Sequence, residues 1–473
     1  MNNNRSIIRK IIEKEEMIGV ALFVLVFSSK YLTLDIAYVD DELGYVMPAA
    51  KWVQENGFNP FSGVLSAGHP PLFFEIIAMI WTIFENNLWV THLVVSFFSF
   101  LTLYFTFLLG THLQGKISGL IAALFLFFSP NYFAHSGIGT LDMPLTTFAV
   151  MTLYFFYKNN YKAYLISGIC LVLTKETGVI FISAITTYVI YKNYFGTKRD
   201  VFKQALLFSI PIWAYLIWLI ANRFVVGWFF YPFNASLFSV IKHYNVNLLT
   251  RVPNQLFLND FRWILTIIIL TSMLIKKTLI KKEFLPILFI LSFLTVFFAV
   301  ISLPRHFLII YPVFFIISSI AFCSLFGKNK IILSLLTLLA ILMFSMKWHG
   351  KSIQHEWAGP NNLEYIDYIK VQKSAIRYIE TNHPDATVAG EFFGGSRMFR
   401  EPYLGYVNNP LDTIDLTFYK KPLEHKQFLI LYYFPSIFAG KISMKVIQNL
   451  NLKLLEKFEK NGKFVELYAR ERT

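Results

Sequence analysis

Charged residues and cysteines are both scarce in this sequence. Only 15% of its 473 residues are charged, against roughly 25% in a typical soluble domain. In contrast, 55% are hydrophobic and the mean hydropathy is +0.51. This composition excludes a soluble globular protein. The two cysteines, Cys170 and Cys323, both lie inside apolar runs, which favours packing roles over a disulfide bond.

Acidic residues are fewer than basic residues, which gives a net charge of +14. A basic excess can indicate nucleic-acid binding. Here, however, the basic residues form short clusters between apolar runs, which is the pattern of the positive-inside rule for membrane proteins. We therefore expect membrane lipid as a partner and no nucleic acid.

Apolar runs of nearly membrane-spanning length are abundant. A transmembrane helix needs about 20 predominantly apolar residues. The predicted transmembrane helices are residues 18–34, 88–112, 117–130, 143–157, 161–174, 177–195, 205–221, 263–275, 284–301, 307–326 and 331–346. The sequence thus predicts a mostly α polytopic membrane protein with about eleven transmembrane helices.

A large loop of mixed polarity, residues 35–87, separates the first two predicted spans. Two pieces of it, residues 43–56 and 72–84, have helical character. The second piece is short for a span, so both are predicted to be interfacial helices on the outer surface. Counting 72–84 as a span would place the lysines of residues 276–282 outside, against the positive-inside rule.

The distribution of basic residues orients the chain. Four of them precede the first span: Arg5, Arg9, Lys10 and Lys14. They predict a retained cytoplasmic N-terminus in the cell inner or plasma membrane. Alternating spans then give a transmembrane domain over residues 1–346, with the 35–87 loop outside. Residues 347–473 follow as an extracytoplasmic domain.

The C-terminal 127 residues have the composition of a soluble domain. The stretch "VQKSAIRYIETNHP" has helical spacing, whereas "ATVAGEFF" and "QFLILYYF" are typical of strands. The stretch "LKLLEKFEKNGKFVELYAR" predicts a hairpin with an Asn461-Gly462 turn. A small α/β domain on the outer face is therefore expected.

Polar residues capable of chemistry are predicted to lie at outer helix ends and in outer loops. They are Asp40, Asp41, Glu42, His69, Asp142, Lys175, Glu176, Arg305 and His306. Each has an ordinary explanation. Acids favour the first turn of a helix, Asp142 could be an N-cap, and Lys175 with Glu176 could extend to the membrane interface. Their shared location outside the membrane predicts a common site instead.

Four short elements among these residues resemble the GT-C membrane glycosyltransferases, in the branch of the protein O-mannosyltransferases and lipid A aminoarabinose transferases. The family's D-E-x-x-Y element is matched by Asp41, Glu42 and Tyr45. Its x-P-P-L element is matched by the stretch "HPPL" that begins at His69. The stretch "LDMPL", which contains Asp142, matches L-D-x-x-L, and "TK", which ends at Lys175, matches T-K-x. The resemblance covers most of the first 200 residues.

The resemblance implies transfer of a sugar from a polyprenyl-phosphate donor to a glycan, lipid or protein acceptor at the outer face, with inversion. Asp41 would be the base that takes the acceptor proton, and the adjacent Asp40 is an alternative position for it. Asp142 would orient the acceptor or stabilise positive charge, and Glu42 belongs to the same catalytic set. Cations would hold the leaving phosphate.

The remaining candidates would bind substrate. For phosphate we expect Lys175 and Arg305, and for hydrogen bonds to phosphate or sugar His69 and His306. Asp40, Tyr45 and Glu176 complete this substrate-binding set. The resemblance implies no required cofactor. Carboxylates and histidines could also hold a divalent metal ion, so the metal requirement is left open.

Two other functions fit parts of the sequence. A transporter or flippase would explain the spans, but it predicts inverted repeats and ionisable groups near the membrane midplane, and neither is found in the sequence. A polymerase or ligase acting on a lipid-linked glycan is chemically close. It would not need the D-E-x-x-Y element in a long first loop.

Overall fold

The structure, a computed structural model, describes residues 15–197, 200–232, 253–298, 304–349, 361–390, 396–416, 428–434 and 441–469. Helices dominate up to residue 345. They are α1 Glu15–Lys30, α2 Met47–Glu55, α3 Leu72–Phe84, α4 Leu88–Gln114, α5 Lys116–Phe128, α6 Pro130–His135, α7 Asp142–Tyr157, α8 Tyr161–Thr174, α9 Gly178–Lys192, α10 Val201–Val226, α11 Arg262–Thr271, α12 Leu285–Phe298, α13 Tyr311–Phe326 and α14 Lys330–Ser345.

The predicted helical, polytopic architecture is confirmed. Each predicted apolar segment is helical over most of its length, and both predicted loop helices are present as α2 and α3. Of the described helices, α4 and α10 are long and apolar enough to cross a membrane alone. The other helices up to residue 345 are shorter than 18 residues. The basic N-terminal residues Arg5, Arg9, Lys10 and Lys14 lie outside the described residues.

A polar cap and a proline set two of the helix boundaries. Asn160 caps α8, because its side chain accepts a hydrogen bond from Ala163 N at 3.2 Å. Pro130 ends the run that sequence predicts as one span and starts α6. The 130–142 segment is buried throughout. It was predicted to be an outer turn, and its burial brings Asp142 into the helix bundle at the start of α7.

The C-terminal region contains α15 Glu364–Asn382, α16 Arg397–Arg400, α17 Lys441–Asn449 and a five-stranded sheet. Its strands are β1 Thr387–Gly390, β2 Thr413–Asp415, β3 Phe428–Phe434, β4 Lys453–Lys460 and β5 Lys463–Ala469. Their order is β2-β1-β3-β5-β4. Strand β1 pairs in parallel with β2 and β3, and β5 pairs antiparallel with β3 and β4.

The predicted α/β character of this region is confirmed. The turn between β4 and β5 is at Asn461 and Gly462, both with positive φ (49° and 76°), as Asn-Gly hairpin turns require. The sequence did not predict the short elements α16, α17 and β2. The division of the chain into two domains after residue 346 stays a prediction.

The first loop lies between the helix bundle and the C-terminal region. Buried apolar residues from all three parts form one continuous cluster. The Trp81 ring of α3 packs edge-on against the Tyr403 ring, with centroids 5.9 Å apart. Lys51 of α2 lies over the same Tyr403 ring at 4.6 Å. The loop that carries the acidic triplet is therefore covered by the C-terminal region.

Candidate active site

Arg305 is the centre of the predicted polar cluster. It lies in a 3₁₀ turn, Pro304–Ile309, just before α13. Its guanidinium pairs with three carboxylates from distant parts of the chain: Nη1 with Asp40, Nη2 with Asp41 at 3.0 Å, and Nε with Asp142 at 3.9 Å. The Arg305 side chain is 10% exposed. Partly desolvated charges of this kind interact far more strongly than charges in water.

Asp40 has a left-handed backbone, with φ of 54°. Successive side chains in an extended chain point to opposite sides, so two adjacent aspartates would ordinarily diverge. The turn at Asp40 instead directs both Asp40 and Asp41 to the same guanidinium. Non-glycine residues adopt this conformation rarely, although Asp does so more readily than most.

Asp142 joins this cluster to the turn between α8 and α9. Its Oδ1 pairs with Lys175 Nζ at 2.7 Å, and both side chains are at most 5% exposed. The other oxygen, Oδ2, faces Arg305 Nε, and neither atom has a hydrogen-bond partner within the described part of the chain. His306 also acts electrostatically on Asp142. Two buried polar atoms are thus available on one side of the cluster.

Tyr45 and His69 extend the cluster beyond Asp41. The Tyr45 hydroxyl donates to Asp41 Oδ2 at 3.0 Å, and its ring lies 5.2 Å from the His69 ring. His69 Nδ1 in turn lies 2.7 Å from Glu176 Oε2. Burial would raise the pKa of the Glu176 carboxyl, but the His69 imidazole holds it below its usual range. These contacts form a continuous polar line from Asp41 to Glu176.

The charged groups of the cluster shift one another's pKa values. Burial raises the pKa of Asp40 to about 7, with Asp41 and Asp142 adding to the effect and Arg305 opposing it. Burial would lower the pKa of Arg305, but the surrounding carboxylates raise it instead. Burial therefore favours the protonated form of Asp40, although Arg305 lies against its carboxyl group.

Glu42, the third residue of the predicted catalytic set, contacts backbone groups of residues 39 and 139. Its carboxylate accepts hydrogen bonds from the backbone N–H of Val39 at 2.9 Å and from that of Gly139. His92 Nε2 lies 3.6 Å from it. A Cβ at position 139 would lie 2.9 Å from Glu42 Oε1, so only glycine allows this close approach. Glu42 therefore joins the acidic loop to the segment that leads to Asp142.

We expect Glu42→Gln to lower stability. A glutamine can offer one oxygen acceptor but must turn its NH₂ group toward the second backbone N–H, which leaves that buried donor unpaired. Such a loss costs about 1–3 kcal/mol. The thermal unfolding midpoint of the detergent-solubilised protein measures it. The matched control is Glu55→Gln, whose side chain is 61% exposed. Equal midpoints for the two variants would contradict this role.

Sequence reasoning missed five buried residues that support the site, namely Lys30, Tyr38, Trp81, Thr91 and His92. Thr91 Oγ1 accepts from the Tyr38 hydroxyl at 2.7 Å and from Trp81 Nε1 at 2.9 Å. His92 Nδ1 donates to Leu34 O at 2.6 Å. Lys30 Nζ donates to Phe133 O at 2.6 Å and lies over the Phe133 ring. Lys30 lies near the end of the first predicted span, where a lysine is ordinary, and no spacing signal connects these long-range pairs.

Metal ligation has no built site in the described residues. No three side chains of His, Cys, Asp or Glu are grouped there so as to hold a metal ion. The central position among the three aspartates is taken by the Arg305 guanidinium. The sequence-based expectation that no cofactor is required, with a divalent metal ion possible, stays a prediction.

Fold and site together define a polytopic helical protein with an acid cluster at the helix ends, beneath a C-terminal α/β region. This is the architecture of the GT-C membrane glycosyltransferases, and the resemblance predicted from the motifs is confirmed. Residues 68–222 match the family described as dolichyl-phosphate-mannose-protein mannosyltransferase. That match includes His69, Asp142, Lys175 and Glu176. No curated protein matches the sequence significantly.

The solved structures that this chain matches are distant in sequence. The crystal structure of ArnT from Cupriavidus metallidurans bound to undecaprenyl phosphate is 12% identical, with a TM-score of 0.59 over 95% of this chain and 97% of that one. The apo state of the same protein is 13% identical, with a TM-score of 0.54 over the same shares. The oligosaccharyltransferase of Archaeoglobus fulgidus is 15% identical, with a TM-score of 0.48 over 87% of this chain and 59% of that one.

Proposed function

We propose that this protein is a glycosyltransferase that moves a sugar from a polyprenyl-phosphate donor to an acceptor at the outer face of the membrane. The observation that carries the proposal is the convergence of Asp40, Asp41 and Asp142 with two cations, Arg305 and Lys175. A sugar transfer with a phosphate leaving group needs a carboxylate to take the acceptor proton and cations to stabilise the phosphate. The crystallised ArnT binds undecaprenyl phosphate, which supports a lipid-phosphate donor here.

Asp41 is the proposed base. Its described contacts, from Tyr45 and Arg305, both go to Oδ2, which leaves Oδ1 to receive a proton. The acceptor hydroxyl gives its proton to Asp41 while its oxygen bonds to the anomeric carbon. The bond from that carbon to the lipid phosphate breaks, and the electron pair leaves with the phosphate. Attack from the side opposite the leaving group inverts the configuration.

The leaving phosphate needs positive charge, and the buried cations of the cluster supply it. Arg305 offers a planar set of donors that suits phosphate oxygens, while Lys175 adds a second charge next to Asp142. Asp142 is placed to orient the acceptor or to stabilise positive charge on the sugar ring. His69 and His306 lie beside these groups and are proposed to bind phosphate or sugar hydroxyls.

Glu42 has a different proposed role from the one that the motif implies. Its carboxylate is occupied by two backbone N–H groups, so it holds the acidic loop in place and does not contact the reacting atoms. Tyr45 similarly orients the Asp41 carboxylate through its hydroxyl, and Glu176 orients His69.

Purified protein in lipid nanodiscs tests the proposal directly. Undecaprenyl phosphate is the probe for the donor site, and its binding is measured by native mass spectrometry. Intact masses of envelope glycans and lipid A from cells with and without the gene then give the mass of the missing sugar and the class of acceptor. Unchanged glycan masses together with no lipid-phosphate binding would refute the proposal. Altered chain lengths without a missing sugar would favour the polymerase or ligase.

The orientation of the chain is also a proposal. With the N-terminus in the cytoplasm, the site and the C-terminal region lie outside. A reporter that is active only outside the cytoplasm, fused after Thr473, is expected to be active, whereas the same reporter fused after Lys158 is expected to be silent. The reverse pattern would place the site in the cytoplasm and exclude an outer-leaflet reaction.

A further inference from the structure

The backbone of Tyr38, which lies just before the acid pair, is held by the C-terminal region. Its N–H donates to the carbonyl of Leu404 at 3.2 Å. Its carbonyl accepts from the Tyr406 hydroxyl at 2.9 Å. Tyr38 is completely buried, so neither group can turn to water instead. Both backbone polar groups of one loop residue therefore depend on residues 404–406.

The contact is too close to admit a side chain at its centre. Gly405 has φ of 90°, in the left-handed region. A Cβ at this position would lie 2.8 Å from Leu88 Cδ1 and 3.0 Å from Ala37 Cα. The 404–406 segment thus lies directly on the backbone of the first loop. It fits there only as glycine with this backbone turn.

The position of this contact matters because of Asp40. A left-handed aspartate is a minority conformation, and such residues persist only when the surrounding structure fixes them. After the acid pair in sequence, Glu42 is fixed because its carboxylate accepts from Val39 N and Gly139 N. Before the acid pair, Tyr38 is fixed by residues 404–406. Asp40 and Asp41 therefore lie between two fixed residues.

We infer that residues 404–406 are a positioning element for the acid pair, with the Tyr406 hydroxyl as its main contact. The element holds Tyr38 so that Asp40 keeps its turn and Asp41 faces the reacting atoms. Tyr406 touches no substrate in this scheme and acts only through the loop. Its consequence for catalysis rests on the proposed function, whereas its effect on the loop does not.

Tyr406→Phe tests the inference because it removes one oxygen atom and keeps the ring. The matched control is Tyr378→Phe, whose ring contacts His383 and Phe458 within the C-terminal region. For Tyr406→Phe we expect kcat to fall about 10- to 100-fold with an unchanged KM for the donor, because a small displacement of a catalytic group costs that much. Amide hydrogen exchange over residues 36–46 is expected to become faster. The control should change neither quantity.

Each readout can overturn a separate claim. Wild-type exchange and wild-type kcat in Tyr406→Phe would overturn the positioning role. Absence of transfer in the wild-type protein would overturn the proposed function, and the exchange measurement would still decide whether residues 404–406 hold the loop. If Tyr406→Phe fails to fold, exchange of the Tyr38 amide in the wild-type protein decides, since rapid exchange there would show that Leu404 does not protect it.

Discussion

Asp41→Asn is expected to reduce kcat for sugar transfer by about 10²- to 10⁴-fold, the range in which a general base contributes. Asparagine keeps the size of the side chain and an oxygen that can accept from Tyr45 or Arg305, but it cannot take a proton. Expression, membrane insertion and binding of undecaprenyl phosphate should stay at the wild-type level. Mass-spectrometric detection of product under single-turnover conditions measures the effect.

Two further variants make this result specific. Asp35→Asn, at an exposed position in the same loop, is the matched control and should retain full activity. Asp40→Asn distinguishes the two adjacent acids. If Asp40→Asn lost activity while Asp41→Asn kept it, the base would be Asp40. Full activity in both would remove the proposed mechanism.

Asp142→Asn is expected to cost both activity and stability. Asp142 and Lys175 form a pair that is almost fully buried, and removing one partner of such a pair typically costs about 3–5 kcal/mol, because a buried charge is left without compensation. Transfer should become undetectable in the same assay. The thermal unfolding midpoint of the purified protein measures the loss of stability.

A second substitution separates the two effects. Replacing Lys175 by methionine in the Asp142→Asn protein removes the stranded charge, so the double variant should recover much of the unfolding midpoint and none of the activity. Recovery of both would show that Asp142 serves only to compensate Lys175. Loss of activity in the single variant without any loss of stability would contradict the buried geometry.

The helices were predictable because their signal is local. Residues 72–84 and 161–174 were predicted with the bounds that the structure gives to α3 and α8, since apolar runs bounded by proline, asparagine or charge are visible in a short window. The Asn461-Gly462 turn was equally visible. The burial of the 130–142 segment was not predictable, because it depends on packing against distant helices.

The candidate site was predictable as a set of residues but not as a geometry. The motifs pointed to Asp41, Asp142 and Lys175, and topology alone added Arg305, which lies at the centre of the cluster. The direction of the Glu42 side chain could not be predicted. Glu42 is adjacent to Asp41 in sequence, yet its carboxylate serves the backbone of residues 39 and 139. A one-residue step along the chain changed the direction of the side chain, and composition carries no information on that.

The contact between Tyr38 and Tyr406 spans 368 residues of the chain, and this has a consequence during biosynthesis. Ribosomes add about 5–20 residues per second, so the acidic loop precedes its distal support by tens of seconds. A nascent chain, or one truncated before residue 404, would carry Asp41 without the contacts that hold the Tyr38 backbone. Under the proposed mechanism, the acid pair would therefore be aligned only after residues 404–406 have been synthesised.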